Sequence, residues 1–183
     1  MRLATLFLLV ALGCREEVGL TVSAFGLYAL LVRGERRWGG VWAVTGLAWS
    51  LFSVFVIIPA FRGTASDTLS RYGWLGTSAL DMLRTLLTRP GFVLRHQFVD
   101  APFRGQFLLR LFLPLAFLPL LSPAVLAIGL PSLVYNLLSA APPQSSIYFQ
   151  YTSPTIPFLF CAAVEGLAWS SRCPKVPPKG AAV

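Results

Sequence analysis

Two adjacent carboxylates, Glu16 and Glu17, stand directly before an apolar run that begins at Val18. A carboxylate at membrane depth could act as a general base on a hydroxyl, because desolvation and the neighbouring acid both raise its pKa. The alternative is a charged helix start at the lipid head groups, where acidic residues interact favourably with the helix dipole. The sequence leaves both interpretations open, and Glu16 and Glu17 are the candidate catalytic residues.

Basic side chains crowd the segment between the third and fourth apolar runs. A planar guanidinium with paired donors suits a lipid-linked phosphate, although arginines at an interface also snorkel to ordinary lipid phosphates. The candidate phosphate-binding residues are Arg62, Arg71, Arg84 and Arg89.

A tyrosine-rich stretch precedes the last apolar run. Tyr148 and Tyr151 could stack on a sugar or donate hydrogen bonds to a substrate, with Gln150 between them. Tyrosines at that depth also form the aromatic belt of a membrane protein. His96 is the single histidine, so the sequence offers no histidine-based metal site and no serine triad with a spare base.

The elements that position these residues are membrane helices. Hydrophobic residues make up 56% of the 183-residue chain and charged residues 12%, against a typical charged share of about 25%. These shares exclude a disordered tail and a soluble enzyme. The formal charge of +8 favours anionic lipid head groups as partners over nucleic acid, because the basic residues lie between apolar runs.

Five or six membrane spans are predicted, at residues 3–13, 18–32, 39–61, 107–121, 124–140 and 154–170. Only helices or closed barrels span a bilayer, and these runs are too long for barrel strands, so the fold class is all-α, a polytopic helical bundle. Helix kinks are expected at Pro114, Pro119 and Pro131. A tight hairpin at Ser122 and Pro123 joins the fourth and fifth runs.

Residues 78–98 predict one interfacial amphipathic helix, broken near Pro90. The predicted organisation is a membrane-embedded domain over 1–171, an extracytoplasmic segment over 62–106, and a polar, proline-rich cytoplasmic tail over 172–183. The basic loop 33–37 supports this orientation. Six arginines of the outer segment count against it unless they belong to a surface helix: Arg62, Arg71, Arg84, Arg89, Arg95 and Arg104.

Several ordered blocks resemble an uncharacterised family of multi-pass bacterial membrane proteins, the domain of unknown function two thousand and seventy-nine. The blocks are REEVGLTVSAFGLYALL from Arg15, VIIPAF ending at Phe61, RYGWLGTSALDMLRTLLTRPG from Arg71, LPSLVYNLLS from Leu130 and SIYFQYTSPTIPFLF from Ser146. The family is similar to the GT-C glycosyltransferases, which transfer a sugar from a polyprenyl-phosphate donor on the outer membrane face. The resemblance therefore implies a bacterial inner-membrane location.

The resemblance also implies roles for the candidate residues. Glu16 and Glu17 would assist deprotonation of the acceptor or bind a divalent cation, the arginines would hold the donor phosphate, and Tyr148 and Tyr151 would line the sugar site. Gln150 departs from the histidine expected there. The chain also lacks the earlier spans and the acidic first loop of the family, so we expect a C-terminal part that is inactive alone. The alternative is a non-catalytic membrane protein: a remnant, a partner-dependent subunit or a transport fragment.

Overall fold

The computed structural model describes residues 2–62 and 70–172. Every regular element in those two ranges is helical, which confirms the all-α prediction. Short 3₁₀ turns connect several of the helices. The α-helices are α1 (Arg2–Leu12), α2 (Val18–Leu31), α3 (Arg36–Phe52), α4 (Ile58–Arg62), α5 (Ala79–Thr88), α6 (Pro90–Phe98), α7 (Phe103–Phe112), α8 (Pro123–Leu138) and α9 (Ile156–Arg172).

One helical stretch of the described chain is long and apolar enough to cross a membrane. It runs over Arg36–Phe61, a length of 26 residues, and comprises α3, a π turn and most of α4. Four further apolar helices are shorter than a typical span: Leu3–Leu12, Val18–Leu31, Pro123–Leu138 and Ile156–Ser171. The expectation of five to six crossings therefore stays a prediction.

The π turn at Ser53–Ile57 keeps that long stretch continuous through a proline. Pro59 has no N–H, and in an α-helix its ring would clash with the carbonyl four residues earlier. The wider turn changes the register of the hydrogen bonds, so that the Ile58 N–H donates to the Ser53 carbonyl five residues earlier. The helix can therefore pass Pro59 without ending.

Helices α2 and α3 pack through glycines with their backbones nearly touching. A Cβ built at Gly26 would collide with the Ala43 nitrogen, and one built at Gly39 would lie 2.5 Å from the Leu30 nitrogen. The Ser23 Oγ also donates to the Ala43 carbonyl at 2.7 Å. Small residues permit such close approach between membrane helices, where packing rather than the hydrophobic effect drives association. This pair is the rigid scaffold that carries Glu17 at the start of α2.

The predicted fourth span over 107–121 is not one helix. Helix α7 ends at Phe112, and two 3₁₀ turns follow at Leu113–Leu115 and Leu118–Leu121. Between them Ala116 and Phe117 have φ values of 49° and 57°, in the left-handed region. The prediction of a continuous, kinked helix was wrong here because two prolines five residues apart remove backbone donors and prevent α geometry from resuming. Pro131, in contrast, remains inside α8.

The predicted amphipathic segment is confirmed as helical and broken at Pro90, which begins α6. Helix α5 starts at the N-cap Ser78, whose hydroxyl accepts a hydrogen bond from the Asp81 N–H at 3.1 Å. Leu80 and Leu87 remain 75% and 73% exposed, so the apolar face of α5 is not covered by the described chain. This exposed face is typical of a helix that lies in a membrane interface.

Candidate functional site

Buried polar side chains gather at one end of the bundle, where α2 begins and α8 ends. We call this group the polar end, defined by Arg15, Glu17, Tyr72, Asn136 and Tyr151. Arg15 pairs with Glu17 and lies over the Tyr151 ring. The Asn136 Nδ2 donates to the Tyr151 carbonyl at 2.7 Å, and this bond ties the end of α8 to the chain that enters α9.

Glu17 is the most enclosed charged group of the polar end, with 2% of its surface exposed. The Arg15 Nη2 donates a hydrogen bond to the Glu17 Oε2 at 3.1 Å, and Nη1 lies 3.0 Å from the Glu17 Oε1 in an ion-pair contact that lacks hydrogen-bond geometry. The Arg15 guanidinium also lies 4.9 Å from the centroid of the Tyr151 ring. A guanidinium that is hydrogen-bonded to one carboxylate oxygen, ion-paired to the other and placed over a ring has little freedom to move.

Burial raises the pKa of Glu17 to about 7, and the Glu16 carboxylate adds to the rise, while Arg15 and more weakly Arg71 oppose it. Glu17 occupies the N-cap position of α2, yet its side chain makes no capping hydrogen bond. A solvated helix start therefore does not describe Glu17. Glu16 is half-buried, and its backbone carbonyl accepts a hydrogen bond from the Ser50 Oγ at 2.6 Å.

The last carbonyls of α8 are capped by side chains from other segments. The donors are the Tyr72 hydroxyl to Tyr135 (3.1 Å), the Ser145 hydroxyl to Asn136 (3.0 Å), the Trp74 Nε1 to Leu138 (2.8 Å) and the Arg104 Nη2 to Ser139 (2.8 Å). A helix end leaves such carbonyls without intrahelical partners. Three of these four donors come from residues 72–104, so the bonds attach that segment to the polar end and bring Arg71 near Glu17.

Arg104 is a buried side chain that the sequence did not single out. It was assigned only to the outer segment, and in the structure it lies in α7 and is 3% exposed. Its Nη1 donates to the Gln97 Oε1 at 2.6 Å, which links α6 to α7 and α8. Because its partners are distant in sequence, no local pattern identifies this role.

The structure brings some predicted site residues together and leaves others apart. Glu17 and Tyr151 meet at Arg15, and Arg71 is half-buried within electrostatic range of Glu17. In the described ranges, four others make no hydrogen bond or ion pair with Arg15 or Glu17, and all four are exposed: Arg84, Arg89, Tyr148 and Gln150. Arg62 ends α4, and its side chain lies outside the described part.

A divalent cation does not fit the donor set around Glu17. Both carboxylate oxygens face the Arg15 guanidinium, so a cation would have to displace that side chain. Across the part of the chain that the structure describes, no three side chains of His, Cys, Asp or Glu come together. The arrangement holds the Arg15 guanidinium in a fixed orientation, and the half-buried Glu16 precedes Glu17 in the chain.

Comparison with protein families identifies the chain. A family model described as a predicted membrane protein, DUF2079, matches residues 1–178. The chain belongs to the DUF2079 family. This membership confirms the resemblance found in the sequence and makes the chain an integral membrane protein. No curated protein and no solved structure matches the chain, so the similarity to GT-C enzymes remains a prediction.

Proposed function

We propose that this DUF2079 chain forms part of a GT-C-like glycosyltransferase, multi-pass in the bacterial inner membrane, that takes its sugar from a polyprenyl phosphate. The supporting observation is the polar end, where Arg15 is held by the buried Glu17 and by the Tyr151 ring. A fixed guanidinium is suited to a phosphate because it needs little reorganisation when the charge arrives. Arg15 and Arg71 would receive the donor phosphate there.

Glu16 is the carboxylate better placed to contact an acceptor. The Glu17 side chain has 0% of its surface exposed, against 26% for Arg15, so a substrate reaches Arg15 without reaching Glu17. Glu16 is half-buried beside them, and its carboxylate is not engaged by any described side chain. In this proposal Glu16 assists removal of the acceptor proton, and Glu17 is a positioning residue that acts through Arg15.

The four exposed candidate residues would act outside the polar end. Arg84 and Arg89 lie on and just after α5, whose apolar face would place them among lipid phosphates. Tyr148 is 76% exposed and Gln150 is also exposed, next to the half-buried Tyr151. Their accessibility suits contact with a sugar that enters from the membrane surface.

A non-catalytic membrane protein is the second candidate function. It is favoured by the complete enclosure of Glu17 in an ion pair, an arrangement that also occurs for purely structural reasons. In that case Glu16 would contact nothing that reacts, and its side chain would be replaceable.

Sugar transfer by membranes that contain the full natural polypeptide separates these candidates. A general base typically contributes about 10²- to 10⁴-fold in rate, so Glu16→Gln should lower transfer within that range at unchanged abundance. Arg15→Lys keeps the charge but loses the two-point geometry and should lower transfer as well. Glu35→Gln, at the exposed N-cap of α3, is the matched control and should transfer normally. Normal transfer by Glu16→Gln would favour the non-catalytic candidate.

A further inference from the structure

Arg110 is an exposed basic residue near the end of α7, within the predicted fourth span. Its guanidinium makes no hydrogen bond and no ion pair with any residue of the described ranges. An ionisable side chain in a membrane segment is costly and requires a partner of opposite charge or water. Arg110 is exposed, so an anion from outside the described chain can contact it.

Two cavities meet at Arg110. One, of about 180 Å³, is lined by Gln106, Ser145 and Ser146 and by the apolar side chains of Phe103, Phe107 and Pro142. We call it the polar cavity for its hydrogen-bonding groups. The other, of about 200 Å³, is lined mainly by apolar side chains of α7 and α9 and of the turn between α7 and α8, among them Leu111, Pro114, Leu115, Ile156 and Phe160. Arg110 and Ile147 line both, so the two cavities are adjacent.

The polar cavity offers donors that suit a phosphate. Arg110 has five N–H groups, and the Gln106 side chain adds an amide that can donate. The Ser146 Oγ accepts a hydrogen bond from the Tyr148 N–H at 3.2 Å, so its own hydrogen remains free to donate. Neither cavity has an acidic residue among its lining side chains.

We propose that these two cavities bind one phosphate-bearing membrane lipid, with its phosphate on Arg110 and the start of one hydrocarbon chain against Ile156 and Phe160. The charge at the junction and the apolar groove beside it match the two parts of such a lipid. A free phosphate would leave the groove unfilled, and an uncharged lipid would leave Arg110 unpaired. Neither Arg15 nor Glu17 lines either cavity. The proposed lipid is therefore distinct from the sugar donor.

Native mass spectrometry of the full natural polypeptide, released in mild detergent, tests this site with phosphatidylglycerol as the probe. One phosphatidylglycerol per protein should survive detergent exchange. Loss of a charge-assisted, paired contact weakens binding by about tenfold or more, so Arg110→Gln should lower retention by at least that factor. Arg110→Lys, which keeps a point charge, should retain an intermediate amount. Ile156→Trp, which fills the apolar cavity, should also release the lipid.

Two variants serve as matched controls. Arg37→Gln removes an exposed arginine at the start of α3 that lines neither cavity, and Val164→Trp enlarges an exposed side chain elsewhere on α9. Both should retain the lipid as the unmodified protein does. If Arg37→Gln lost as much lipid as Arg110→Gln, any exposed arginine would retain the lipid, and the proposal would be overturned. Retention of diacylglycerol, which lacks phosphate, or binding of inorganic phosphate as tight as that of phosphatidylglycerol would overturn it too.

Discussion

Arg15 and Glu17 differ in exposure, because 26% of the Arg15 side chain is accessible and none of the Glu17 side chain is. We therefore expect replacement of the two residues to change the free energy of unfolding by different amounts. Arg15→Gln leaves a carboxylate with no exposed side-chain surface and no partner. Glu17 has a pKa of about 7 and takes up a proton when Arg15 is lost, so we expect the Arg15→Gln cost from this group at pH 8 to reach at most about 1.4 kcal/mol, the free energy of one pH unit. Glu17→Gln leaves Arg15, which is 26% exposed and still stacks on Tyr151. Because Arg15 can be hydrated and the amide carries no buried charge, we expect Glu17→Gln to be at least as stable as the unmodified protein at pH 8.

The free energy of unfolding depends on pH through the pKa of Glu17, which burial raises from 4.5 to about 7. The folded protein holds this proton more tightly than the unfolded chain does. Stability from this group is therefore full below pH 4.5 and falls as the pH rises through about 7, by about 3 kcal/mol in total. Arg15→Gln removes the main influence that lowers the pKa of Glu17, so its cost should be greater at pH 8 than at pH 5, by up to about 1.4 kcal/mol.

Unfolding of the purified protein in dodecyl maltoside by added dodecyl sulfate, followed by circular dichroism at pH 5 and pH 8, measures these differences. The double variant Arg15→Gln/Glu17→Gln should be more stable at pH 8 than Arg15→Gln alone, because the buried charge is gone. Two results would refute the reasoning: an equal loss in both single variants at pH 8, or a loss in Arg15→Gln that does not change with pH.

Two further predictions concern the scaffold. Gly26→Leu should prevent α2 from packing on α3, which size-exclusion chromatography would show as loss of the folded species. A Cβ at Gly40 meets no atom within 4 Å, so the control Gly40→Leu should fold. Equal behaviour of the two variants would contradict the glycine contact. Trp74→Phe removes the donor to the Leu138 carbonyl. It should lower the free energy of unfolding by about 1–3 kcal/mol in the same assay and speed hydrogen exchange at the end of α8. The control Trp169→Phe changes a side chain that is 57% exposed and should cost nothing measurable.

Features set by local sequence were predictable. The apolar composition and run lengths led to an all-helical fold, and Pro90 marked the break between α5 and α6. The seven-residue spacing from Gly19 to Gly26 and from Gly39 to Gly46 was present in the sequence and indicates the close α2–α3 contact in retrospect. The end of α7 at Phe112 was missed because two prolines were treated as kinks in a continuous helix.

Features that depend on tertiary contacts could not be predicted. Glu17 was identified as chemically unusual, but the Tyr151 ring that covers its partner Arg15 lies more than a hundred residues further along the chain. The capping of α8 by Trp74 and Arg104 likewise joins residues far apart in sequence. An exposed loop arginine and a buried one have the same sequence signature, since only the folded chain supplies the partners.

The central claim is that the polar end serves sugar transfer, and its most direct test is transfer from a radiolabelled polyprenyl-phosphate sugar. Membranes carrying the full natural polypeptide are compared with membranes carrying Glu16→Gln and Glu35→Gln at equal abundance. We expect transfer to fall by about a hundredfold or more in Glu16→Gln, because a general base is lost, and to be unchanged in Glu35→Gln. Equal transfer by all three proteins would contradict it.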